Sequence, residues 1–370
     1  MMFKFVWVWV AGLMTLANGG ANATNAPMLD CPMRDAPFSL VSPLYDVLIN
    51  VKAKAVLESH FPDGALAKFP AMVTQTKLPS FATIMEVRAL GGMAQLKVET
   101  LDSLDAALRA LLVTDADRVK RCARYDSTVP DLVVASDRPN LLVFDKIIGF
   151  KHESYKAANN AVAAIAKRKG WHVQFTQSGG AFNPATLKKF DAVLWNNVSG
   201  DVLTLSQRAA FQDYLEKGGG YAGLHGAAGD VTYFWDWYPD TLIGARFAGH
   251  PIDPPYQETR VMVNEQHVLA EGLPTEWLMT EEWYAFKTNP KLSGAKVLLS
   301  LDESMYSQTG FVGEDISMGG DHPIAWTKCI GKGRMFYNGI GHKPETYSHP
   351  INVRVIENGL AWALNAKNAC

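Results

Sequence analysis

Residues 191–230 read DAVLWNNVSGDVLTLSQRAAFQDYLEKGGGYAGLHGAAGD, and they decide the architecture. DAVLWNNV is an apolar run of buried-strand type. SQRAAFQDYLEKGGG then predicts a helix with Ser206 as its N-cap and Gly218 to Gly220 ending it. YAGLHGAA predicts a central strand running into a sharp glycine-rich turn. Upstream, LLVFDKIIGF (141–150), SYKAANNAVAAIAKRKG (154–170), WHVQFTQ (171–177) and NPATLKKF (183–190) keep the same rhythm. Downstream, AKVLLSLD, HPIAWTKC and GRMFYNGI add strands, and VIENGLAWALNA closes with a helix. Strand, helix, strand in this order predicts an α/β domain over residues 136–370, its mostly parallel sheet covered on both faces.

The region before it has a different texture. Residues 27–140 contain no tryptophan, whereas 171–362 contain eight. PLYDVLINVKAKAVLESHF places apolar residues at helical spacing from Val47 to Phe61, and LDSLDAALRALLVTDADRVKRCARYD does so after Leu101. PSFATIMEVRALG predicts a shorter helix ending near Gly91 and Gly92. A small helical domain over 27–135 follows, suited to docking a partner or to self-association. Ahead of it, residues 1–26 carry one lysine, an apolar run from Phe5 to Ala17, and small residues at Ala21, Ala23 and Ala26. That pattern predicts a cleaved signal peptide and an exported protein, periplasmic or secreted, without a membrane span in its mature form.

Composition excludes several classes. The 370 residues are 48% hydrophobic and 19% charged, a globular balance. A net charge of -2 offers no electrostatic reason for a nucleic-acid partner. The four cysteines allow three pairings in an oxidising compartment, and their spacing suggests Cys31 with Cys122 and Cys329 with Cys370. None forms a C-x-x-C pair, and no glycine fingerprint supports a nucleotide cofactor.

Open sheets place ligands at the carboxyl ends of their strands. Polar clusters stand there: His152 after the first strand, Asn197 after the third, His225 and Asp230 after the fourth. Glu282, Trp283 and Tyr284 precede a strand, and His322 and His342 flank the last two. His225, an imidazole between glycine-flanked residues directly after a buried strand, has little packing reason to be there. His60, His172 and His267 read as structural or surface residues. Histidines with a carboxylate such as Glu282 can hold zinc or another divalent metal, or can move protons without one. The absence of an H-E-x-x-H pattern leaves that choice open. Trp235 and Trp237, then His250, Trp283 and Tyr284, supply aromatic faces suited to a sugar and equally to a satellite core.

The ordered motifs LLVFDKIIGFKHES, VLWNNVSGDVLTLSQRAAFQDYLEKGGGYAGLHGAAGD, GARFAGHP, EEWYAF, LLSLDESMY, GGDHPIAW and GRMFYNGIGHKPETY together resemble the ThuA-like family, named for trehalose utilisation. The resemblance implies a class I glutamine-amidotransferase-like, flavodoxin-like doubly wound fold and a role in disaccharide catabolism that passes through 3-keto sugars. It puts His152, His225, Glu282, His322 and His342 at the reacting pocket, with Asn197, Asp230 and His250 nearby. True amidotransferases carry a nucleophilic cysteine where this chain has His225, so glutamine hydrolysis is not expected. The expected activity is that of a lyase or hydrolase on a glycoside or 3-keto-glycoside; the alternative is a carbohydrate-binding or assembly protein without catalysis. A sugar oxidoreductase is the partner class such a pathway would offer the helical domain.

Overall fold

The computed structural model describes residues 29–61, 82–89, 97–311, 313–365 and 370. The expected signal peptide, residues 1–26, lies outside the described residues, as do Gly91 and Gly92. The N-terminal part is helical: α1 (Leu44–Leu48), α2 (Val51–Ser59), α3 (Ile84–Ala89), α4 (Val98–Arg109) and α5 (Asp115–Cys122). Both long helical patterns are interrupted. Asn50 caps α2 by accepting the Ala53 N–H, and Thr114 opens α5 through a capping box with Asp117. A capping side chain satisfies a free N–H and so starts a new helix inside an apolar pattern that periodicity alone reads as continuous. Val47, Ala53, Leu57, Ile84, Leu104 and Leu108 close a core of their own, separate from that of the following domain.

The second part alternates as predicted: β1 (Asn140–Phe144), α6 (Tyr155–Lys169), β2 (His172–Thr176), α7 (Pro184–Leu187), β3 (Ala192–Asn196), α8 (Leu205–Glu216) and β4 (Gly220–Leu224). Then follow β5 (Phe247–Gly249), β6 (Gln257–Val263), β7 (Glu276–Glu281), β8 (Ala285–Phe286), β9 (Lys296–Leu301), β10 (His322–Ile330), β11 (Gly333–Asn338) and α9 (Pro350–Leu364). Nine of these strands form one sheet in the order β2-β1-β3-β4-β11-β10-β9-β6-β7. The doubly wound half, β2 to β11, is parallel throughout. Beyond β11 the sheet continues antiparallel. Every residue of β1, β3, β4 and β11 is buried, which is why the interiors of β1, β3 and β4 read as apolar runs. At the far edge, β7 alternates exposed and buried residues, the signature of a sheet with one wet face.

Helix α8 is capped by Thr204 rather than by Ser206. Thr204 and Gln207 form the reciprocal capping box, while the Ser206 N–H donates to Asp30 in the N-terminal segment.

The two parts are stitched together by the linker after α5. Tyr125 donates to Asp201 at 2.6 Å, Lys146 pairs with Asp126 at 2.6 Å, and Asp126 accepts the N–H groups of Gly179 and Gly180. Both expected disulfides, Cys31–Cys122 and Cys329–Cys370, are present, and bonds of this kind belong to oxidising compartments. No helix among the described residues is long and apolar enough to cross a membrane.

Candidate active site

Because β1, β3, β4 and β11 run in one direction, their carboxyl ends open on a common edge. The loop after β1 brings Phe150 and His152, the turn after β3 brings Asn197, the turn after β4 brings His225, and the loop after β11 brings His342. Glu282 follows β7. One donor atom from each of His152, His225, Glu282 and His342 lies within 4.8 Å of the others.

His225 occupies this place at a backbone cost. Its φ of +40° lies in the left-handed region, as does the +51° of Asn197, where a side chain crowds the carbonyl. The next residue must be glycine, since a Cβ on Gly226 would stand 2.8 Å from His152 Nδ1 and 3.2 Å from Asn197 Oδ1. Asn197, fully buried, accepts the Gly226 N–H at 3.1 Å and so shapes the turn that presents His225.

The cluster is organised through its hydrogen bonds. His225 Nδ1 lies 2.7 Å from the Gly339 carbonyl, which can only accept, so Nδ1 carries a proton and the neutral ring keeps its lone pair on Nε2. That Nε2 has no hydrogen-bond partner and sits 3.5 Å from Glu282 Oε2. His152 Nε2 lies 3.1 Å from the Tyr284 hydroxyl, and its Nδ1 is likewise unpartnered. His342 Nδ1 donates to Glu282 Oε2 at 2.8 Å. His250 reaches the other carboxylate oxygen, with Nδ1 at 3.4 Å from Oε1 and 2.8 Å from the Pro251 carbonyl.

Electrostatics separates the roles. Burial, reinforced by the neighbouring His225 and His342, pushes the His152 pKa well below the usual imidazole range, so this ring is neutral at pH 7. Burial alone would raise Glu282, but its imidazole neighbours outweigh it, His342 by donating a hydrogen bond, and hold the carboxyl well below the usual range. Its neighbour Glu281 moves up through burial, moderated by the Thr346 hydroxyl and the Lys343 N–H that it accepts. His152 Nδ1 and His225 Nε2 thus stand beside an ionised carboxylate as the two buried imidazole nitrogens of the cluster without a hydrogen-bond partner among the described residues.

The remaining expected site residues divide. Tyr284 joins the cluster, its ring stacked on His225 with centroids 4.2 Å apart. His322 stands behind it: Nε2 donates to the Tyr284 carbonyl at 2.8 Å and Nδ1 meets Glu303 at 2.9 Å, so both nitrogens are already engaged and neither faces the cluster. Trp283 is fully buried, its indole N–H given to the Gln257 carbonyl, which corrects the expectation that it meets a substrate. Trp235 stacks on Trp237 and under the Arg208 guanidinium. With Asp201, Asp230 and Tyr233 it lines a narrow crevice beside the N-terminal part, apart from the histidines. In that crevice burial raises the Asp230 carboxyl to about 7, moderated by the Gly200 N–H it accepts. Glu303 and the Gly339 carbonyl had no signal in the sequence, since nothing local marks a residue that orients another from behind.

All four cysteines are joined in disulfides, so no thiol is free to serve as an amidotransferase nucleophile. Among solved structures, the chain is similar to a ThuA-like protein from Bacteroides uniformis ATCC 8492, with 25% identity and a TM-score of 0.53 over 63% of this chain and 95% of that one. A ThuA-like protein from Parabacteroides merdae ATCC 43184 matches at 15% identity and a TM-score of 0.46, over 61% of this chain and 90% of that one. No curated protein matches the chain. The family described as ThuA, trehalose utilisation, matches residues 140–363, from the first strand to the last helix, and the chain belongs to that family.

Proposed function

We propose that this protein is an exported carbohydrate-processing enzyme, a lyase or hydrolase acting on a glycoside or 3-keto-glycoside, whose His152, His225, Glu282 and His342 hold a divalent metal such as zinc. One observation carries the reading: two buried imidazole nitrogens, His152 Nδ1 and His225 Nε2, have no hydrogen-bond partner and belong to a cluster with an ionised carboxylate. Buried polar atoms are ordinarily satisfied, and an unpaired pair of them beside a carboxylate suits the binding of a cation. Three imidazoles and one carboxylate are also a donor set that suits zinc. The family description supplies the substrate class, and the two disulfides with the leader-like N-terminus support export.

A metal held there would polarise a sugar oxygen or ketone. The chain's own residues do the rest. The Gly339 carbonyl keeps the His225 lone pair on Nε2, and Tyr284 fixes the ring of His152. His250, whose Nδ1 is given to the Pro251 carbonyl, is left with Nε2 as a proton acceptor. In elimination from a 3-keto-glycoside it takes the proton beside the ketone and returns it to the departing glycosidic oxygen.

The test is elemental mass spectrometry on untagged protein, wild type against His225→Ala and Glu282→Gln, with trehalose and 3-keto-trehalose incubations followed by NMR. About one metal ion per chain is expected in wild type and none in either folded variant, with turnover falling about 10³-fold or more. Failure to retain zinc after reconstitution overturns the metal assignment. Saturable sugar binding without turnover, indifferent to His225→Ala, favours the non-catalytic alternative.

A further inference from the structure

The cluster is buried on most sides, and it reaches solvent at His342 and His250, whose side chains are 19% and 26% exposed. Two aromatic rings stand at this opening. Phe150, 49% exposed, packs edge-on against His152 at 4.7 Å between centroids and lies 6.3 Å from the His342 ring. Tyr256, 41% exposed, meets the same His342 ring at 5.4 Å. They come from unrelated parts of the chain, the loop after β1 and the approach to β6.

Neither ring is on a loose tip. Ser199 accepts the N–H groups of Ile148 and Gly149 on its carbonyl and donates its hydroxyl to the Phe150 carbonyl, pinning the backbone on both sides of the ring. Tyr256 follows Pro254 and Pro255 and precedes Gln257, whose side chain bonds the Pro254 carbonyl and the Ser307 N–H. The Lys343 ammonium lies 5.9 Å from the Tyr256 ring, adding a donor at the rim. A solitary exposed aromatic needs no explanation, but two on fixed backbones that touch the same half-buried histidine leave a rigid apolar face on the way to the buried donors. Pyranose rings present patches of C–H that stack on such faces, while their hydroxyls require polar groups at the edge, here Lys343 and His250.

We propose that Phe150 and Tyr256 form the sugar-stacking subsite that admits a pyranose ring to the His152–His225–Glu282–His342 cluster. The inference rests on the carbohydrate reading above and names the residues that bind the ring. Trehalose is the probe. Its binding to wild type, Phe150→Ala, Tyr256→Ala, the double variant and Phe150→Trp is measured by titration calorimetry and saturation-transfer NMR. Bound zinc and near-ultraviolet circular dichroism report on the cluster and the fold.

Each single alanine variant is expected to weaken trehalose binding about tenfold and the double variant about a hundredfold, with Phe150→Trp close to wild type and bound zinc unchanged. Wild-type binding that persists undiminished in the double variant overturns the subsite and leaves the carbohydrate reading standing. Failure of wild type to bind trehalose or any of a panel of glucosides overturns both. Loss of zinc together with trehalose in the double variant overturns the subsite too, because the rings would then be supporting the cluster rather than binding sugar.

Discussion

The Tyr284 hydroxyl lies 3.1 Å from Nε2 of His152, leaving the opposite nitrogen of that imidazole unpartnered. The same tyrosine is held from behind by His322 through its carbonyl and stacks its ring on His225. One residue thereby sets the orientation of two of the proposed ligands.

Tyr284→Phe keeps the ring and removes only the hydroxyl. His152 loses the partner that fixes its tautomer, and the expected outcome is a fall in zinc affinity of about 10 to 100-fold with the fold retained. Competition titration against a chromophoric chelator measures the first, and near-ultraviolet circular dichroism the second.

His225 pays for its position in backbone strain, so glycine and alanine at this site should differ. Both remove the imidazole, but only glycine accepts φ of +40° freely. His225→Gly is expected to be more stable than His225→Ala by about 1 kcal/mol in urea denaturation, and both should be inactive. Equal stabilities would show that the turn relaxes.

Glu303 is held down to about 2 by its hydrogen bond to His322, helped by the N–H groups of Met318 and Gly320, against an ordinary value of 4.5. A folded-state value below the unfolded one gives stability that is fully present above about 4.5 and is lost as pH falls toward 2. Glu303→Gln should therefore be less stable than wild type at pH 6, and the gap should narrow through this window. Urea denaturation at several pH values checks it; a gap independent of pH would mean that Glu303 matters for packing alone.

Gly180 marks the seam between the two parts. A Cβ there would stand 2.1 Å from the Thr128 carbonyl oxygen, a backbone atom that cannot step aside without moving the linker. Gly180→Ala should loosen the helical part from the α/β domain. Faster hydrogen exchange in residues 97–125, with protection in β1, β3 and β4 unchanged, is the expected pattern.

The doubly wound half was legible because β1, β3 and β4 are buried on both faces and therefore apolar except at the terminal Asn140 and Asn196, while α6 and α8 carry helical stripes between them. The antiparallel half was read only in part. β6 and β7 lie where one face is wet, and in Glu276–Glu281 the apolar Leu278 is exposed while Glu281 is buried, so the residue types do not alternate as the burial does. Helix boundaries were misplaced at Asn50 and Thr204 because a cap is a matter of one side chain meeting one N–H, which periodicity does not record.

Local sequence was enough to determine that strands and helices alternate and that the strand ends bear histidines, because burial and periodicity act over a few residues at a time; the cysteine spacing only suggested the pairing that the fold then made. Which histidines meet was decided by tertiary structure alone. His322 and His342 stand at comparable strand ends, yet one is spent on Glu303 and the Tyr284 carbonyl and the other on Glu282. Glu281 and Glu282 are adjacent in the chain, but one is taken by Thr346 and Lys343 and the other faces the imidazoles. Those choices depend on the sheet setting β4 beside β11, on the chain after the far edge strand β7 returning to their carboxyl ends, and on contacts more than a hundred residues apart, such as His225 with Gly339. No stretch of local sequence contains them.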